Sequence, residues 1–497
     1  MCFSLFFFFK TSSPLKPPSQ MAGQKAEAKK STNSNNVPLF SSKVTDLDVK
    51  LDNEIVYEFG GPLGVVGMML GFPSLMYYFW ICLEHHQGKL IVPAVWSVEG
   101  IKSFFWNDIY AAVIDGARPT VYAAKIYMGY IVFSFILASI MPGPVVNGLP
   151  IPSLKGKRLP YLCNGLAAWY FTLPFSAFLH VTGIFRLTDI IDNFGHIMTI
   201  AIMWGFTLTT LVFIASHIQG TNHRMSGNLF YDFFMGASLN PRVGVVDLKM
   251  WAEIRVPWPI LFYISVSCAL KQYETRGYIT APAAFMVLAH FLYVNACQKG
   301  EECIPTSWDM FYEKDGFMLV FWNMAGVPFT YCYASIYLMK FEETTGIAIT
   351  HSLPYTVGLF VALVSAYYIF DTGNSQKNRF RMEQNGSYIA RNAFPQLPYG
   401  HIKNPNYIKT AHGNLLLTDG WWGVVRKPHY TADLVMALSW GLITGFGSFL
   451  PYFYVCFFLV VLTHRVSRDM ERCAKKYGKD WDRYCERVPY IFVPYVF

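Results

Sequence analysis

The chain has 497 residues, of which 53% are hydrophobic, 17% aromatic and only 14% charged. A protein of this composition has too little polar surface to enclose a soluble core of its size, so a soluble globular fold is excluded. The net charge of +8 lies mainly in the tails and loops, where it indicates membrane orientation, and no motif for nucleic-acid binding accompanies it.

Residues 1–50 are predicted to form a disordered N-terminal segment. Met1 to Lys10 holds a short apolar run without the basic region or cleavage pattern of a signal peptide, and the stretch to about Val49 is rich in Ser, Lys, Asn and Pro. Met21 opens a sequence that would serve as a start, which raises the hypothesis that residues 1–20 are absent from the mature protein. Residues 51–497 form one transmembrane domain in this interpretation.

Apolar stretches follow one another along that domain, and we predict an all-α polytopic membrane protein with about ten transmembrane helices. The stretches lie at approximately 61–83, 121–141, 160–184, 195–216, 256–270, 278–297, 317–340, 353–371, 433–449 and 451–463. Pro451 separates the last two, which we interpret as two helices joined by a tight turn. Lys and Arg cluster after the even-numbered spans, so the positive-inside rule predicts that both termini are cytoplasmic.

Polar stretches on either side of the last two spans emerge on one face of the membrane, in the C-terminal half of the chain. Their Arg and Lys residues would hold phosphates, and aromatic residues such as Trp422 and Tyr477 would stack on the rings of a flat, anionic cofactor. Lys377 and Arg381 are four residues apart, so on a helix they would share one face and grip a phosphate. The alternative is a charge cluster that only fixes topology.

No GxGxxG or P-loop follows a predicted strand, so a dinucleotide would have to bind within the bundle itself. The ten cysteines are scattered without a CxxC motif or a His/Cys ligand cluster, and neither a disulfide framework nor a metal site is predicted. The loop from His223 to Arg255 is dense in charged and aromatic residues. It is either a functional candidate or a segment whose Asp and Arg residues pair with each other.

Asp309 and Glu313 are the candidate catalytic residues. If the segment from Trp308 to Gly316 is helical, the two carboxylates lie one turn apart on one face, and such a pair tends to keep one proton near neutral pH. The pair would then supply a proton donor inside the bundle. The alternative is a helix start whose acidic residues lie at the positive end of the helix dipole.

Several C-terminal blocks resemble the membrane sterol reductases, a family that includes sterol C-14 reductase, 7-dehydrocholesterol reductase and the reductase domain of the lamin B receptor. The blocks are residues 417–423, 429–433, 450–453, 464–469 and 472–481. Further blocks, at residues 57–61, 231–236, 247–250 and 492–497, are similar to the fungal Δ24(24(1))-sterol reductase branch of that family.

The resemblance implies a ten-helix bundle in the endoplasmic reticulum that binds NADPH in a cytoplasm-facing pocket of its C-terminal half. The cofactor contacts implied on this chain are Lys377, Arg381, Leu417, Trp422, His429, Tyr430, Asp469, Cys473, Ala474, Lys475, Lys476, Tyr477 and Tyr484. His429 is a departure, because another branch of the family carries Asn at that place. The implied partners are a sterol within the membrane, the lipid bilayer and other enzymes of sterol biosynthesis.

The implied reaction is the NADPH-dependent reduction of the C-24(28) double bond of a sterol, the last step of ergosterol biosynthesis. An unactivated alkene cannot take a hydride directly, so an acid must first protonate the terminal CH2 and leave a cation at C-24. Besides Asp309 and Glu313, we consider Tyr331 and Tyr333 as donors, and Trp322 as a ring that stabilises the cation.

Three alternatives remain open at this point. Within the family, the chain would reduce another sterol double bond, at C-14 or C-7. The C-terminal hairpin with its Arg-, Asp- and Tyr-bearing tail is also similar to membrane isoprenylcysteine methyltransferases, which use S-adenosylmethionine. The third alternative is a non-catalytic sterol-binding scaffold.

Overall fold

A computed structural model describes residues 44, 46–384, 386, 388 and 400–496. Most of the predicted disordered segment, residues 1–43 and 45, lies outside the described residues, whereas residues 46–50 begin the first helix. The helices are α1 Asp46–Asn53, α2 Gly61–His85, α3 Val98–Ser103, α4 Ala111–Gly116, α5 Val121–Ile140, α6 Gly165–Val181, α7 Asp189–Asp192, α8 Phe194–Ile218, α9 Leu229–Met235, α10 Leu248–Arg255, α11 Pro257–Arg276, α12 Ala281–Lys299, α13 Trp308–Phe311, α14 Phe317–Phe321, α15 Val327–Thr330, α16 Tyr333–Thr345, α17 Leu353–Gln384, α18 Trp421–Val424, α19 Pro428–Leu442, α20 Phe453–Tyr477 and α21 Lys479–Arg487.

Strands in the described part of the chain form three short antiparallel hairpins. They are β1 Val145–Asn147 with β2 Pro160–Leu162, β3 Arg242–Val243 with β4 Val246–Asp247, and β5 Tyr407–Lys409 with β6 Leu415–Leu417. The last hairpin pairs Tyr407 with Leu417, and so brings the chain back toward the end of α17.

Seven helical segments among the described residues are long and apolar enough to cross a membrane. They are Gly61–His85, Val121–Ile140, Phe194–Ile218, Leu248–Arg276, Ala281–Thr306, Leu353–Gln384 and Leu450–Tyr477. The other three predicted spans are also helical, but α6 has 17 residues, α19 has 15, and the span beginning at Phe317 is interrupted. The polytopic membrane architecture is therefore confirmed, and length and composition support seven of the ten predicted spans.

Helix ends in the bundle follow the local sequence. The side chain of Thr120 accepts a hydrogen bond from the Ala123 N–H at the start of α5, and Thr280 caps α12 in the same way. Gly277 ends α11 with a φ of 78°, a left-handed conformation that favours glycine. These polar caps set where each apolar segment begins or ends.

The span predicted at 317–340 is an interrupted helix. A π-helical segment, Trp322–Gly326, separates α14 from α15, and α16 begins only after a turn at Tyr331 and Cys332. The Trp322 indole folds back over Gly326, where a Cβ atom would lie 2.4 Å from the ring. Residues 317–339 are all buried, so this irregular segment occupies the centre of the bundle, where neighbouring helices surround it.

The sequence did not predict the helical stretch Val98–Gly116, formed by α3, a π-helical segment Phe104–Tyr110 and α4. Its charged residues, such as Glu99 and Lys102, interrupt the apolar run that would mark a span. Trp106 is 56% exposed, whereas Ile109, Ala112 and Val113 pack against the core, so only one side of the stretch contacts the bundle.

Arg255 and Glu301 form a buried ion pair that joins α10 to the end of α12. The Arg255 Nη2 atom lies 2.7 Å from Glu301 Oε1, and the side chains are 5% and 2% exposed. The Gly165 N–H donates to Glu301 Oε2 at 2.7 Å, and Arg255 Nη2 also donates to the Asn164 side chain. This network therefore fixes the start of α6 as well.

Replacing Glu301 with alanine is expected to lower the free energy of unfolding by about 3–5 kcal/mol, because the Arg255 charge is left buried without its partner. Denaturant titration in detergent micelles measures the change. Glu274→Ala is the matched control, since its ion pair with Arg186 is half-exposed and is expected to contribute less than about 1 kcal/mol. Equal losses in the two variants would contradict the expectation.

Candidate functional site

Helix α17 has 32 residues and extends beyond the roughly 20 residues that cross a bilayer. Its C-terminal turns carry Lys377, which is half-buried, and Arg381, which is exposed. The four-residue spacing places both on one helix face, as predicted. Neither side chain forms an ion pair with a residue that the structure describes. Two cations on one face are thus available to an anionic ligand.

An aromatic platform lies beside these cations. The Lys377 Nζ atom is 3.8 Å from the centre of the Trp422 ring. The Trp422 Nε1–H donates to the Gly373 carbonyl at 2.8 Å, and Trp421 Nε1–H donates to the Thr372 hydroxyl at 2.9 Å. These two hydrogen bonds fix both indoles to α17. The chain reaches this position because it turns sharply at Gly420 and then enters α18, which carries both tryptophans.

The platform continues into α19. The His429 ring lies 5.1 Å from Trp422 and 4.1 Å from Tyr430, measured between centroids. His429 is 8% exposed, and its Nδ1 atom has no hydrogen-bond partner among the described residues. Leu417 on β6 is buried in a small cluster with Trp422 and Phe380. An unpartnered nitrogen beside these tilted rings suits a ligand that carries both an aromatic ring and a hydrogen-bonding group.

Helix α20 supplies the opposite wall. Asp469, Cys473 and Tyr477 repeat every four residues and so line one face. Asp469 forms an ion pair with Lys427, and Tyr477 accepts a hydrogen bond from Asn414 at 2.9 Å. Arg381 of α17 lies within electrostatic reach of all three. Tyr484 of α21 packs in the same cluster as Cys473 and Tyr477.

The structure thus brings ten of the thirteen expected cofactor contacts close together where β6, α17, α18, α19, α20 and α21 meet. They are Lys377, Arg381, Leu417, Trp422, His429, Tyr430, Asp469, Cys473, Tyr477 and Tyr484. Ala474 and Lys475 are exposed, since they project from other faces of α20, and Lys476 is half-buried beside the Tyr477 ring. We call this set of ten residues the cationic cleft.

The segment from Trp308 to Gly316 is not one helix, so the condition for a carboxylate pair on one face is not met. Helix α13 ends at Phe311, and the buried Lys249 donates to the carbonyls of Asp309 and Glu313, the latter at 2.5 Å. The hydrogen bonds from Lys249 stabilise a turn at the position where a second helical turn would otherwise follow. Asp309 and Glu313 therefore do not share a helix face, and each carboxylate has its own arginine partner.

Those arginines belong to α20. Arg465 donates to Asp309 Oδ2 at 3.1 Å, and Arg468 donates to Glu313 Oε1 at 3.2 Å. Burial raises the pKa of Glu313, but Arg468 and a hydrogen bond from Trp308 outweigh burial and hold that pKa below its ordinary value. Glu313 is therefore ionised near neutral pH and is not itself the protonated carboxyl.

Glu58 is the acidic residue that sequence reasoning missed. Its Oε1 atom lies 3.0 Å from Arg468 Nη2, so Glu58 and Glu313 share one guanidinium. Glu58 Oε2 is buried without a hydrogen-bond partner in the part of the chain that the structure describes. Burial raises the pKa of Glu58 to about 7, the nearby Glu313 charge adds to the rise, and Arg468 opposes it. In this acidic pair the pKa is thus raised at Glu58 and lowered at Glu313.

The charged loop before α11 is paired partly within itself. Asp232 accepts hydrogen bonds from the Ser226 and Gly227 N–H groups at 2.8 and 3.0 Å, and Arg242 pairs with Asp247 at 3.4 Å. These contacts fit the interpretation of a self-paired segment, whereas Lys249 and Arg255 bind groups outside the loop. His223 also pairs with Asp52 at 3.2 Å, which ties the loop to α1.

Comparison with known proteins identifies the family of this chain. Residues 53–497 match the model of the ergosterol biosynthesis ERG4/ERG24 family. The chain belongs to that family. The resemblance in the C-terminal blocks is thus confirmed, and ERG4/ERG24 membership favours the sterol reductase interpretation over the methyltransferase one.

The similar ERG4/ERG24 relatives are sterol reductases by name. Delta(24(24(1)))-sterol reductase erg4A of Aspergillus fumigatus is 44% identical over 450 residues, which cover 90% of this chain and 94% of the relative. Delta(24(24(1)))-sterol reductase of Gibberella zeae is 44% identical over 456 residues, covering 90% and 74%. Delta(14)-sterol reductase of Dictyostelium discoideum is 38% identical over 437 residues, covering 88% and 91%.

Proposed function

We propose that this protein is a Δ24(24(1))-sterol reductase that uses NADPH to reduce the C-24(28) double bond of a sterol, the last step of ergosterol biosynthesis. The higher identity to the two fungal relatives of that name than to the Δ14 reductase supports the choice of double bond. The proposal places the protein in the endoplasmic reticulum membrane with both termini in the cytoplasm, where the basic ends of α17 and α20 would face the soluble cofactor.

The cationic cleft carries the cofactor part of the proposal. Lys377 and Arg381 would hold phosphates, because neither is neutralised by a described carboxylate. Trp422, His429 and Tyr430 would stack on the rings, and the free His429 Nδ1 fits a polar group of the ligand. NADPH supplies a hydride when it is bound.

The acidic pair Glu58 and Glu313 carries the proton part. Glu58 holds a proton near neutral pH, and Arg468 stabilises the carboxylate that remains when the proton leaves. The proton would go to the terminal CH2 of the sterol double bond, and the positive charge would develop at C-24, where NADPH held by the cationic cleft would supply the hydride. A proton from the cytoplasmic solvent would then return to the Glu58 carboxylate. Asp309 acts indirectly in this scheme, by pairing with Arg465 on the same helix as Arg468.

The sterol profile of a fungal host that lacks its own C-24(28) reductase tests the proposal. Expression of this chain is expected to remove the 24(28)-methylene sterol and to produce ergosterol, as read by gas chromatography and mass spectrometry. A Lys377→Met, Arg381→Met double variant is the control for activity that depends on the cleft. Consumption of a Δ14 or Δ7 sterol instead would overturn the choice of double bond. An unchanged profile at normal expression would favour the scaffold interpretation.

A further inference from the structure

A sharp turn before α2 carries Glu58. The three residues that follow it, Phe59, Gly60 and Gly61, have φ values of 58°, 77° and 67°, all in the left-handed region. Glycine adopts this conformation freely, but a bulky residue such as Phe59 does so only under strain. A strained turn persists only where the surrounding structure holds it. The turn at Glu58 therefore needs contacts from other elements to keep its shape.

Tyr231 of α9 holds the backbone of this turn. The Glu58 N–H donates to the Tyr231 hydroxyl at 2.9 Å, and that hydroxyl donates to the Val56 carbonyl at 3.1 Å. The Tyr57 ring lies between these two backbone contacts and packs against the Tyr231 ring, with the centroids 4.8 Å apart. Tyr231 is 4% exposed, so water does not compete for its hydroxyl. One side chain of α9 thus fixes the chain on both sides of residue 57.

Phe234, almost one turn further along α9, holds the side chain that follows Glu58. The Phe234 and Phe59 rings meet edge-on with their centroids 5.8 Å apart, and Phe59 lies 6.0 Å from the His464 ring of α20. Phe59 is therefore packed between α9 and α20. Arg468 follows His464 by one turn of α20, so this packing keeps the Glu58 carboxylate at the Arg468 guanidinium.

Helix α9 is itself fixed by the loop that precedes it. The Asn228 side chain accepts a hydrogen bond from the Tyr231 N–H at 3.0 Å and caps the helix. Asp232, which is 4% exposed, accepts the N–H groups of Ser226 and Gly227. A helix of seven residues has little stability of its own. These local bonds therefore give α9 the fixed orientation that holding another turn requires.

The other end of α9 contacts the segment that follows Glu313. Gly236 ends the helix with a φ of 91°, and a Cβ atom there would lie 2.5 Å from the carbonyl carbon of Asp315. The Asp315 N–H donates to the Ser238 carbonyl at 2.8 Å. Lys314 Nζ donates to two carbonyls of the loop before α9, at 3.0 and 2.9 Å. Both members of the acidic pair are thus attached to the same short element.

We propose that α9 and its loop position the acidic pair, with Tyr231 as the positioning residue for Glu58. This inference rests on the proposed function, because it concerns the proton that Glu58 would deliver. Tyr231 acts through the backbone of the turn and does not touch the reacting atoms. The local pairing of the loop then has a purpose, since a segment that is fixed by its own contacts can hold the Glu58 turn against Arg468 and Glu313.

A double-mutant cycle between Tyr231 and Glu58 tests the inference, with the full chain in lipid nanodiscs, NADPH and ergosta-5,7,22,24(28)-tetraenol. Tyr231→Phe is expected to lower kcat by about three- to tenfold, the value of one neutral hydrogen bond, and to keep both KM values within twofold. The double variant Tyr231→Phe, Glu58→Gln is expected to be no slower than Glu58→Gln alone. A residue that acts through the Glu58 carboxyl has no further effect once that carboxyl is absent.

Tyr231→Phe is also expected to move the pH dependence of kcat. Without its two hydrogen bonds the turn loosens toward solvent, and weaker burial lowers the pKa of Glu58 from about 7 toward its ordinary value. The fall in kcat then begins at lower pH. The titratable and charged groups that face Glu58 or its turn are Arg224, Tyr231, Tyr312, Glu313, His464 and Arg468. The variant alters only Tyr231, which is neutral in this pH range because its pKa is raised to about 12.

Tyr78→Phe is the matched control, because the Tyr78 hydroxyl also donates to a backbone carbonyl, that of Ile91, at 2.7 Å. It is expected to keep both kcat and the pH profile. The inference is overturned if the rate losses of Tyr231→Phe and Glu58→Gln multiply in the double variant, or if Tyr231→Phe keeps the wild-type rate and profile. In either case the role of Glu58 stands. Wild-type turnover by Glu58→Gln would instead remove the proton part of the proposed function together with the inference.

Discussion

Replacing Arg381 with alanine is expected to raise the Kd for NADPH by about ten- to a hundredfold, and Lys377→Met is expected to act similarly. A hydrogen bond to a charged group contributes about 1.5–3 kcal/mol, and each 1.4 kcal/mol corresponds to a factor of ten. Because neither cation forms an ion pair with a described carboxylate, both side chains are available to phosphates. Calorimetric titration of NADPH into the purified protein measures the change, and the KM for sterol is expected to stay within twofold.

Arg379→Ala is the matched control for that experiment. Arg379 lies on the same turns of α17, but it already pairs with Glu383 at 2.7 Å. Its loss is expected to change the Kd for NADPH by less than twofold, because a partly exposed pair of this kind contributes little. If the Arg381, Lys377 and Arg379 variants all weaken NADPH binding equally, the cationic cleft only fixes membrane topology. That is the alternative that the sequence leaves open for this charge cluster.

Glu58→Gln is expected to lower kcat by about a hundredfold or more, the usual contribution of a general acid. An acid acts in its protonated form, so the kcat of the wild type is expected to fall as the pH rises through about 7, the pKa of Glu58. About nine-tenths of the molecules carry the proton at pH 6 and about one-tenth at pH 8. The variant is expected to lose this falling limb, as measured by steady-state rates at saturating substrate.

Glu313→Gln separates the two members of the acidic pair. The Glu313 charge adds to the raised pKa of Glu58, so its removal is expected to shift the falling limb to lower pH without abolishing turnover. Glu54→Gln, an exposed change in the same N-terminal segment, is expected to leave both rate and profile unchanged. Wild-type turnover in both Glu58→Gln and Glu313→Gln would place the proton donor elsewhere.

The sequence predicted local geometry better than contacts between distant elements. The spacing of Lys377 and Arg381 predicted a shared helix face, and α17 is helical through both residues although its apolar stretch ends near residue 371. The predicted helix at Asp309 and Glu313 failed because Lys249, about sixty residues earlier, takes the backbone carbonyls that a second helical turn would have used. Local propensity contains no information on such a partner.

The same reason explains why Glu58 was missed. A single acidic residue between two aromatic residues at a membrane entry has no local signal of function. The functional importance of Glu58 depends on its ion pair with Arg468, which lies about four hundred residues later in the chain. The sequence named Tyr333 as a candidate donor, but only the fold reveals that its hydroxyl is enclosed by rings from α2 and α20 and lacks a partner among the described residues.

The dependence of three carboxylates on α20 also has a consequence for biosynthesis. Glu58 emerges from the ribosome about four hundred residues before Arg468, and at 5–20 residues per second the interval is roughly 20–80 s. During that time Glu58 lacks the Arg468 guanidinium, whereas Asp309 and Glu313 emerge only about 155 residues before Arg465 and Arg468. Helix α20 belongs to the last membrane-spanning segment among the described residues and therefore completes all three ion pairs, and a nascent chain truncated before residue 465 is expected to be a substrate for quality control.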